Sequence, residues 1–315
     1  MRLFNKGLIV LGIIALATVH GIGAQSSVFL GAFGDYAYTD SPPAHSGEIG
    51  IHGNFDYRSL IGSAGYFNLT AFGEISIDPT DSASSDYLAV DAHGLWYVGD
   101  NDVELTLGSE SSFTGYDGYD AYWSPHWELA YRIQRGRTSI NPSITYSGYA
   151  TSTHISHGAQ VGITRAPKVE LEYSVAAGGG IDTYADAGQT DLFASLTYSV
   201  NGLSGYFLSW NVLGTSTYRS SDDIDREGFS GSLSAQATLT PSSTLQVRFS
   251  PTWYWEYLTS SSQWDQGWDI SARADVAISE HVYCYAGPSL VVGRMLDPAD
   301  APWSVHVTAG VDVSL

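Results

Sequence analysis

The sequence predicts an all-β protein: a transmembrane antiparallel up-and-down β-barrel of about sixteen strands, with about fourteen as the alternative count. Three observations lead to this fold. The N-terminus has the features of an export signal, apolar and polar residues alternate through most of the remaining chain, and no later segment is apolar over the roughly 20 residues that a spanning helix needs. A closed barrel is then the membrane-compatible arrangement, because every backbone polar group must find a partner in lipid.

Residues 1–24 have the organisation of a secretory signal peptide. Arg2 and Lys6 precede an apolar run over residues 8–17, and small residues follow up to Ala24. A run of about ten apolar residues is too short to span a bilayer, and no Cys follows it to accept a lipid. We therefore expect cleavage after Ala24, to within a few residues, and a mature barrel over residues 25–315.

Composition and charge exclude some classes of partner. Only 13 Lys and Arg stand against 33 Asp and Glu, so the formal charge of −20 becomes −22 without Arg2 and Lys6. Nucleic acid is therefore not expected as a partner. The single cysteine, Cys284, cannot form an internal disulfide and is expected to pack on an apolar face.

The alternation of apolar and polar residues defines the strands. It is strict over residues 48–57, 103–108, 127–134 and 169–175. Successive strand residues point to opposite faces, so one face of each strand is predicted to meet lipid and the other water. The predicted strands are 27–38, 48–58, 65–78, 87–99, 103–113, 126–135, 138–150, 156–165, 168–178, 190–200, 204–217, 228–240, 244–258, 267–278, 282–294 and 303–315.

Short connections alternate with longer ones along the chain, which predicts periplasmic turns, external loops and both termini on the periplasmic side. The short connections are 60–64, 100–102, 136, 166–167, 201–202, 241–243 and 279–281. The longer ones include 39–47, 114–125, 179–188, 220–227 and 295–302. Pro142, Pro251 and Pro288 fall inside predicted strands, where each removes a ladder donor; we expect bulges there, or a misdrawn strand.

Aromatic residues collect at predicted strand ends, at the alternate positions that face outward, as in the girdles of membrane barrels. Strands favour aromatic residues in any case, but clustering at both ends favours girdles. Those near predicted outer ends are Tyr36, Tyr38, Trp127, Tyr146, Phe229, Trp253, Trp255, Tyr257, Trp268 and Trp303. Those near inner ends are Phe55, Tyr57, Phe67, Trp96, Tyr198 and Tyr206.

The last eight residues form a polar, any, Gly, any, any, apolar, any, apolar series through Thr308, Gly310, Val313 and Leu315. This series resembles the C-terminal insertion signal of bacterial outer-membrane barrels, which usually ends on an aromatic residue where this chain has Leu315. With the signal peptide, alternation and girdles, the mature chain resembles bacterial outer-membrane porins as a broad class, in pattern only and without a family-specific motif.

The resemblance implies an outer-membrane location in a Gram-negative-type envelope, contact with outer-membrane lipid and insertion by the barrel-assembly machinery. It also implies passive diffusion of small hydrophilic solutes. A homotrimer is compatible with the outward apolar face, because such a face serves lipid and a partner barrel alike.

The alternate strand positions that face inward carry mainly acidic residues. In a barrel of about sixteen strands, the lumen that they line is an aqueous channel. Carboxylates attract cations and repel anions, so we expect a weakly cation-selective pore without a cofactor or metal. The alternative is that the carboxylates only keep the lumen wet or pair with its arginines. The predicted pore-lining residues are Glu48, Glu74, Asp91, Glu104, Glu110, Glu128, Arg132, Glu170, Glu172, Arg248, Asp269, Arg273 and Asp275.

Two features could modify such a pore. Segments 114–125 and 178–191 are candidates for an inward-folded constriction, although exposed loops are the simpler interpretation. An acidic cluster could bind calcium, but it lacks the spacing of the helical calcium loop, and a solvated loop is expected. The cluster consists of Asp222, Asp223, Asp225 and Glu227.

A lipid- or peptide-hydrolysing barrel enzyme is the alternative from another class, and it requires a His beside a Ser or carboxylate. No signature of a barrel enzyme family surrounds any histidine here, so catalysis is not expected. A surface-interaction or adhesin role is a further alternative. The histidine groupings are His93 with Asp91, His52 with Asp56, and His154 and His157 near Ser152 and Ser156.

Overall fold

A computed structural model describes residues 24–40, 43–61, 63–77, 84–99, 101–114, 120–136, 138–185, 188–293 and 303–314. Residues 1–23, which hold nearly all of the predicted signal peptide, lie outside this set, as does Leu315. No helix that could cross a membrane occurs among the described residues.

The described residues form sixteen antiparallel strands in one closed sheet. They are β1 (Ala24–Asp40), β2 (Pro43–Leu60), β3 (Gly65–Ile77), β4 (Ser84–Val98), β5 (Asn101–Thr114), β6 (Asp120–Ile133), β7 (Asn141–Ala150), β8 (His154–Lys168), β9 (Leu171–Tyr184), β10 (Gln189–Ser204), β11 (Leu208–Ser220), β12 (Gly228–Ser242), β13 (Leu245–Leu258), β14 (Gln263–Ala277), β15 (Val282–Val292) and β16 (Trp303–Ser314). Each strand pairs with its sequence neighbours, and β1 pairs with β16 to close the barrel. The predicted count of sixteen is confirmed, and fourteen is wrong.

The two ends of the barrel are defined by their connections. At the end that we call the loop end, residues 221–227 join β11 to β12; at the opposite turn end, residues 243–244 join β12 to β13. The chain enters β1 and leaves β16 at the turn end, as the predicted arrangement of the termini requires.

Several predicted loops are strand instead. Residues 39–40 and 43–47 belong to β1 and β2, residues 120–125 to β6 and residues 179–184 to β9. Predictions of long connections at 39–47, 114–125 and 179–188 were therefore wrong in extent, whereas 221–227 is a connection as expected. The backbone ladder continues past the apolar stretch of each strand. The polar ends were not identified as strand, because they lack the alternation of apolar and polar residues that identifies a strand in sequence.

The internal prolines do not shift the strands. Pro142, Pro251 and Pro288 all lie within strands, and ladder pairs are missing beside Pro251 and Pro288 but resume in the same register. The register shifts recorded among the described strands occur instead at Pro167 and Pro241, beside the turn end. The three strands were therefore correctly drawn. Pro251 and Pro288 cost ladder pairs locally, as a missing N–H donor requires, whereas Pro142 remains paired with Ile163.

The two faces of the sheet differ in chemistry. One face carries large apolar side chains that remain exposed, with Ile49, Ile51 and Val161 each more than 60% accessible. On the other face, His52 of β2 contacts Asp312 of β16 across the intervening strand β1. On the concave side of a barrel, side chains from two strands that are separated by a third strand lean toward each other. The polar face, which carries this contact, therefore lines the lumen.

Outward aromatic residues cluster at the loop end of β13 and its neighbour. The ring centroids of Trp253 and Trp255 are 4.5 Å apart, and those of Trp253 and Trp268 are 6.0 Å apart. Tyr257 and Trp264 follow at 5.2 Å. Register places Trp253, Trp255, Tyr257 and Trp268 on the outward face toward the loop end, as predicted, and places Trp264, which was not predicted, beside Tyr257.

Candidate pore lining

The strand register brings most of the predicted pore-lining residues onto the lumen face. These are Glu48, Glu74, Asp91, Glu104, Glu128, Arg132, Glu172, Arg248, Asp269, Arg273 and Asp275. Glu170 differs, because β8 continues through Pro167 to Lys168 and leaves Glu170 in the turn before β9. The side chain of Glu110 lies outside the described residues.

Arginine neutralises only part of this acidic wall. Arg132 pairs with Glu104. Arg248 and Arg273 share one carboxylate, with Nη2 atoms 2.9 and 2.7 Å from the Oδ2 and Oδ1 atoms of Asp275. The three predicted arginines therefore neutralise two of the predicted carboxylates.

Other lumen carboxylates lie away from these pairs. Within the described part of the chain, Glu74, Glu128 and Asp269 make no recorded ion pair with an arginine. They belong to β3, β6 and β14, so negative charge is distributed around the wall rather than gathered at one point. Pairing with the three arginines does not account for these side chains.

The histidines contact carboxylates, but not those that sequence proximity suggested. His93 Nε2 lies 2.7 Å from Glu104 Oε1 rather than beside Asp91, and Asp91 Oδ1 instead contacts His126 Nε2 at 2.6 Å. His52 contacts Asp312 rather than Asp56. Residues two or four apart on one strand are separated by about 7 or 13 Å and point in parallel. His93 instead meets Glu104 of the adjacent strand, and the other two contacts pass over a glycine of the strand between the partners.

The predicted grouping of His154 with His157 is also separated by the fold. His157 lies on the outward face, where its Nδ1 atom is 3.1 Å from the Tyr146 hydroxyl. His154 lies on the lumen face and stacks on Tyr184, with ring centroids 4.5 Å apart. The two imidazoles therefore cannot serve one site.

Buried carboxylates form a network at the loop end of the lumen. Asp182 and Asp191 are neighbours across β9 and β10, and they are 2% and 0% exposed. Arg219 donates from Nη2 to Asp182 Oδ2 at 2.8 Å. His154 Nε2 lies 3.4 Å from the other oxygen, Asp182 Oδ1. Burial of two adjacent aspartates is tolerated because cationic and polar groups surround them.

Segment 221–227 is fastened to this network. Ser221 donates from Oγ to Asp191 Oδ1 at 2.6 Å, and Arg226 Nε lies 3.5 Å from Asp191 Oδ2. The Arg226 guanidinium also lies 4.1 Å from the centre of the Tyr184 ring. The segment that sequence reasoning treated as a solvated loop is thus held against the lumen wall by Arg226.

The acidic residues of this segment have separate contacts rather than a common centre. Asp223 Oδ1 accepts a hydrogen bond from the Asp225 backbone N–H at 3.1 Å, and Asp223 Oδ2 lies 3.6 Å from Arg226 Nε. Glu227 accepts a hydrogen bond from the Tyr218 hydroxyl at 3.2 Å. Across the described ranges, no group of three or more His, Cys, Asp or Glu side chains is arranged to hold a metal.

Sequence reasoning missed some acidic residues of the lumen face. Asp35 and Asp312 could have been found from strand parity, because β1 and β16 were drawn nearly correctly. Asp182 could not, since it fell in a segment interpreted as a loop. Each of the three has a contact with a histidine or a hydroxyl from another strand.

The final strand closes the barrel between β15 and β1. Thr308 donates from Oγ1 to Asp35 Oδ1 at 2.5 Å, and Gly310 lies beneath the Tyr285 ring, which a Cβ atom would strike. Val313 pairs with Leu30 on one side and Val282 on the other. Three residues of the predicted insertion signal thus lie in the closing ladder, and Leu315 falls outside the described residues.

No protein-family model and no curated relative matches the sequence. Solved structures do resemble the fold. An anion-selective porin from Comamonas acidovorans is 12% identical, with a TM-score of 0.56 over 93% of this chain and 100% of that one. The outer-membrane protein OmpT of Vibrio cholerae, lacking loop L8, is 8% identical, with a TM-score of 0.57 over 93% and 100%.

The outer-membrane protein OpdK from Pseudomonas aeruginosa is also similar, at 9% identity and a TM-score of 0.56 over 92% of this chain and 99% of that one. At such identities the likeness concerns the fold. The chain therefore has the sixteen-stranded barrel fold of outer-membrane porins, which agrees with the predicted outer-membrane location.

Proposed function

We propose that this protein is a passive outer-membrane channel for small hydrophilic solutes and that it prefers cations. A closed barrel of sixteen strands is wide enough for an aqueous channel. The observation that carries the cation preference is the incomplete neutralisation of the wall: Glu74, Glu128 and Asp269 remain without an arginine among the described ion pairs.

The sign of the selectivity follows from this chain's own side chains. Fixed carboxylates on a low-dielectric wall concentrate cations and exclude anions. The fold leaves the sign open, since the similar barrel from Comamonas acidovorans is an anion-selective porin. Solutes would move down their gradients, and the proposal includes neither catalysis nor a cofactor.

The proposal extends to export and assembly. The first 24 residues are removed during export, and the barrel-assembly machinery recognises the last strand through Thr308, Gly310, Val313 and Leu315. The outward apolar face, with residues such as Ile49 and Ile51, supplies contact with lipid. It could also supply the interface of a homotrimer.

The sign of ion selectivity tests the central claim. Refolded protein in a planar bilayer, with a tenfold KCl gradient, is expected to show steady conductance steps and a reversal potential of the sign set by K⁺. A reversal potential of the sign set by Cl⁻ would overturn the cation preference. Protein shown to be folded and inserted that passes no current would overturn the channel itself.

Orientation is tested by labelling of single cysteines. In a Cys284→Ser background, Ile224→Cys at the loop end is expected to react with a membrane-impermeant maleimide on intact cells. Ser243→Cys at the turn end is expected to react only after the outer membrane is permeabilised. Both native side chains are exposed, so accessibility to solvent is matched, and the reverse labelling pattern would show the opposite orientation.

A further inference from the structure

An aspartate and a histidine meet over a glycine on the lumen face. Asp312 of β16 and His52 of β2 are both paired in register with Gly31 of the strand between them. His52 Nε2 lies 2.8 Å from Asp312 Oδ1, and a Cβ atom at residue 31 would collide with both side chains. The contact therefore requires glycine. We call this arrangement an Asp–Gly–His row.

A second Asp–Gly–His row occurs four strands further around the barrel. Asp91 of β4 and His126 of β6 are both paired with Gly108 of β5, and His126 Nε2 lies 2.6 Å from Asp91 Oδ1. A Cβ atom at residue 108 would again collide with both side chains. The order and the strand directions match the first row, and each glycine lies near the middle of its strand. A repeated constellation of this kind indicates a built feature of the wall.

We infer that the two Asp–Gly–His rows are low-affinity sites for first-row divalent transition-metal ions, such as Ni²⁺ and Zn²⁺, within the lumen. Imidazole nitrogen combined with carboxylate oxygen suits these ions, whereas Mg²⁺ and Ca²⁺ prefer oxygen ligands alone. The inference rests on the proposed channel function and names a class of cation that the lumen distinguishes from others.

The geometry of the rows is compatible with one shared ion. Metal–ligand distances of about 2.0–2.2 Å place adjacent nitrogen and oxygen ligands of an octahedral ion about 3 Å apart. The Nε2–Oδ1 separations of 2.8 and 2.6 Å are a few tenths of an ångström shorter. A small rotation of either side chain therefore makes room for an ion between the two atoms.

Each Asp–Gly–His row is expected to bind a metal ion weakly. Each row offers two protein ligands, and the described residues contain no group of three or more that could hold a metal. Water must complete the coordination shell, so a bound ion exchanges readily. Conduction requires sites that bind an ion strongly enough for it to enter and weakly enough for it to leave. Near the first row, Glu74 pairs in register with His52 and adds negative charge.

Current block by metal ions tests this inference. Protein without a histidine tag is recorded in a planar bilayer in KCl, with NiCl₂ or MgCl₂ added. We expect Ni²⁺ to reduce the K⁺ current at concentrations about tenfold below those required for Mg²⁺. The variant His52→Gln/His126→Gln retains polar side chains without the ligating nitrogens, and its Ni²⁺ block is expected to fall well below that of the native chain. The contact of His93 with Glu104 is left unchanged, because Arg132 already pairs with that carboxylate.

The matched control replaces two histidines away from the lumen face. His157 lies on the outward face and His281 in the turn before β15, so His157→Gln/His281→Gln is expected to retain the Ni²⁺ block. Equal block by Ni²⁺ and Mg²⁺, or full Ni²⁺ block in the lumen variant, would overturn the metal sites and leave the channel standing.

A measurement without current separates the two proposals. Equilibrium dialysis of NiCl₂ against folded protein in detergent is expected to show more retained Ni²⁺ for the native chain than for His52→Gln/His126→Gln. Equal retention would overturn the metal sites whether or not the protein conducts. Absence of current with the expected difference in retention would overturn only the channel.

Discussion

Neutralisation of Glu74, Glu128 and Asp269 is expected to lower the ratio of K⁺ to Cl⁻ permeability severalfold. Among the described residues these carboxylates lie on the lumen face without an arginine partner, so in the proposed channel their charge would act on permeating ions. A wetted charge interacts with an ion by about 0.5 kcal/mol, which changes the ratio about twofold for each carboxylate removed. The variant is Glu74→Gln/Glu128→Gln/Asp269→Asn, and the measurement is its reversal potential in a KCl gradient.

A control with the same loss of charge tests whether position matters. Asp222, Asp225 and Glu280 are exposed side chains in connections between strands. The variant Asp222→Asn/Asp225→Asn/Glu280→Gln is expected to retain the native permeability ratio, because exposed charges in the connections between strands are screened by salt within about 10 Å. Equal shifts in both variants would show that overall charge, rather than the lumen wall, controls the ratio.

Removal of the Asp182 carboxylate is expected to destabilise the barrel by about 2 kcal/mol. This loss is smaller than the roughly 3–5 kcal/mol found when a fully buried pair loses one partner, because Arg219 remains partly exposed. Asp182→Ala leaves the Arg219 guanidinium and the His154 ring at the loop end without their shared anion. Reversible urea unfolding in lipid or detergent measures the change as a lower midpoint with an unchanged slope.

Two further variants identify the cause of such a loss. Asp222→Ala removes an exposed carboxylate from the neighbouring segment and is expected to change stability by less than about 0.5 kcal/mol. Asp182→Ala/Arg219→Ala is expected to be less destabilised than the sum of the two single variants, because each partner is costly only when left alone. A midpoint for Asp182→Ala equal to that of the native chain would refute the buried network as a source of stability.

Strand positions followed from the sequence wherever a strand carried its own apolar alternation. All sixteen predicted segments overlap observed strands, and the register keeps Glu48, Glu74 and Glu128 on the face that parity assigned. The pattern could not show how far strands continue beyond the apolar stretch. For that reason Asp182 was interpreted as part of a loop, and Glu170 as part of a strand.

The partners of the functional side chains were not predictable from the sequence. His52 and Asp312 are 260 positions apart, and their contact depends on closure of β16 against β1 and on Gly31 between them. Strand alternation alone suggested Asp56 as the carboxylate beside His52, because both residues lie on the same face of one strand. Arg226 likewise belongs to an acidic segment that appeared solvated in sequence, and its place against Asp191 depends on the path of the connection.

The sequence by itself determined the barrel class, the approximate strand positions and the acidic character of one face, because alternation is a local property with a period of two residues. Only the tertiary structure decided which carboxylates are neutralised, which histidines meet an aspartate, and that residues 221–227 bind the wall. Those contacts depend on the register between strands and on barrel closure, which bring distant residues together over positions where a Cβ atom would collide with the contacting side chains.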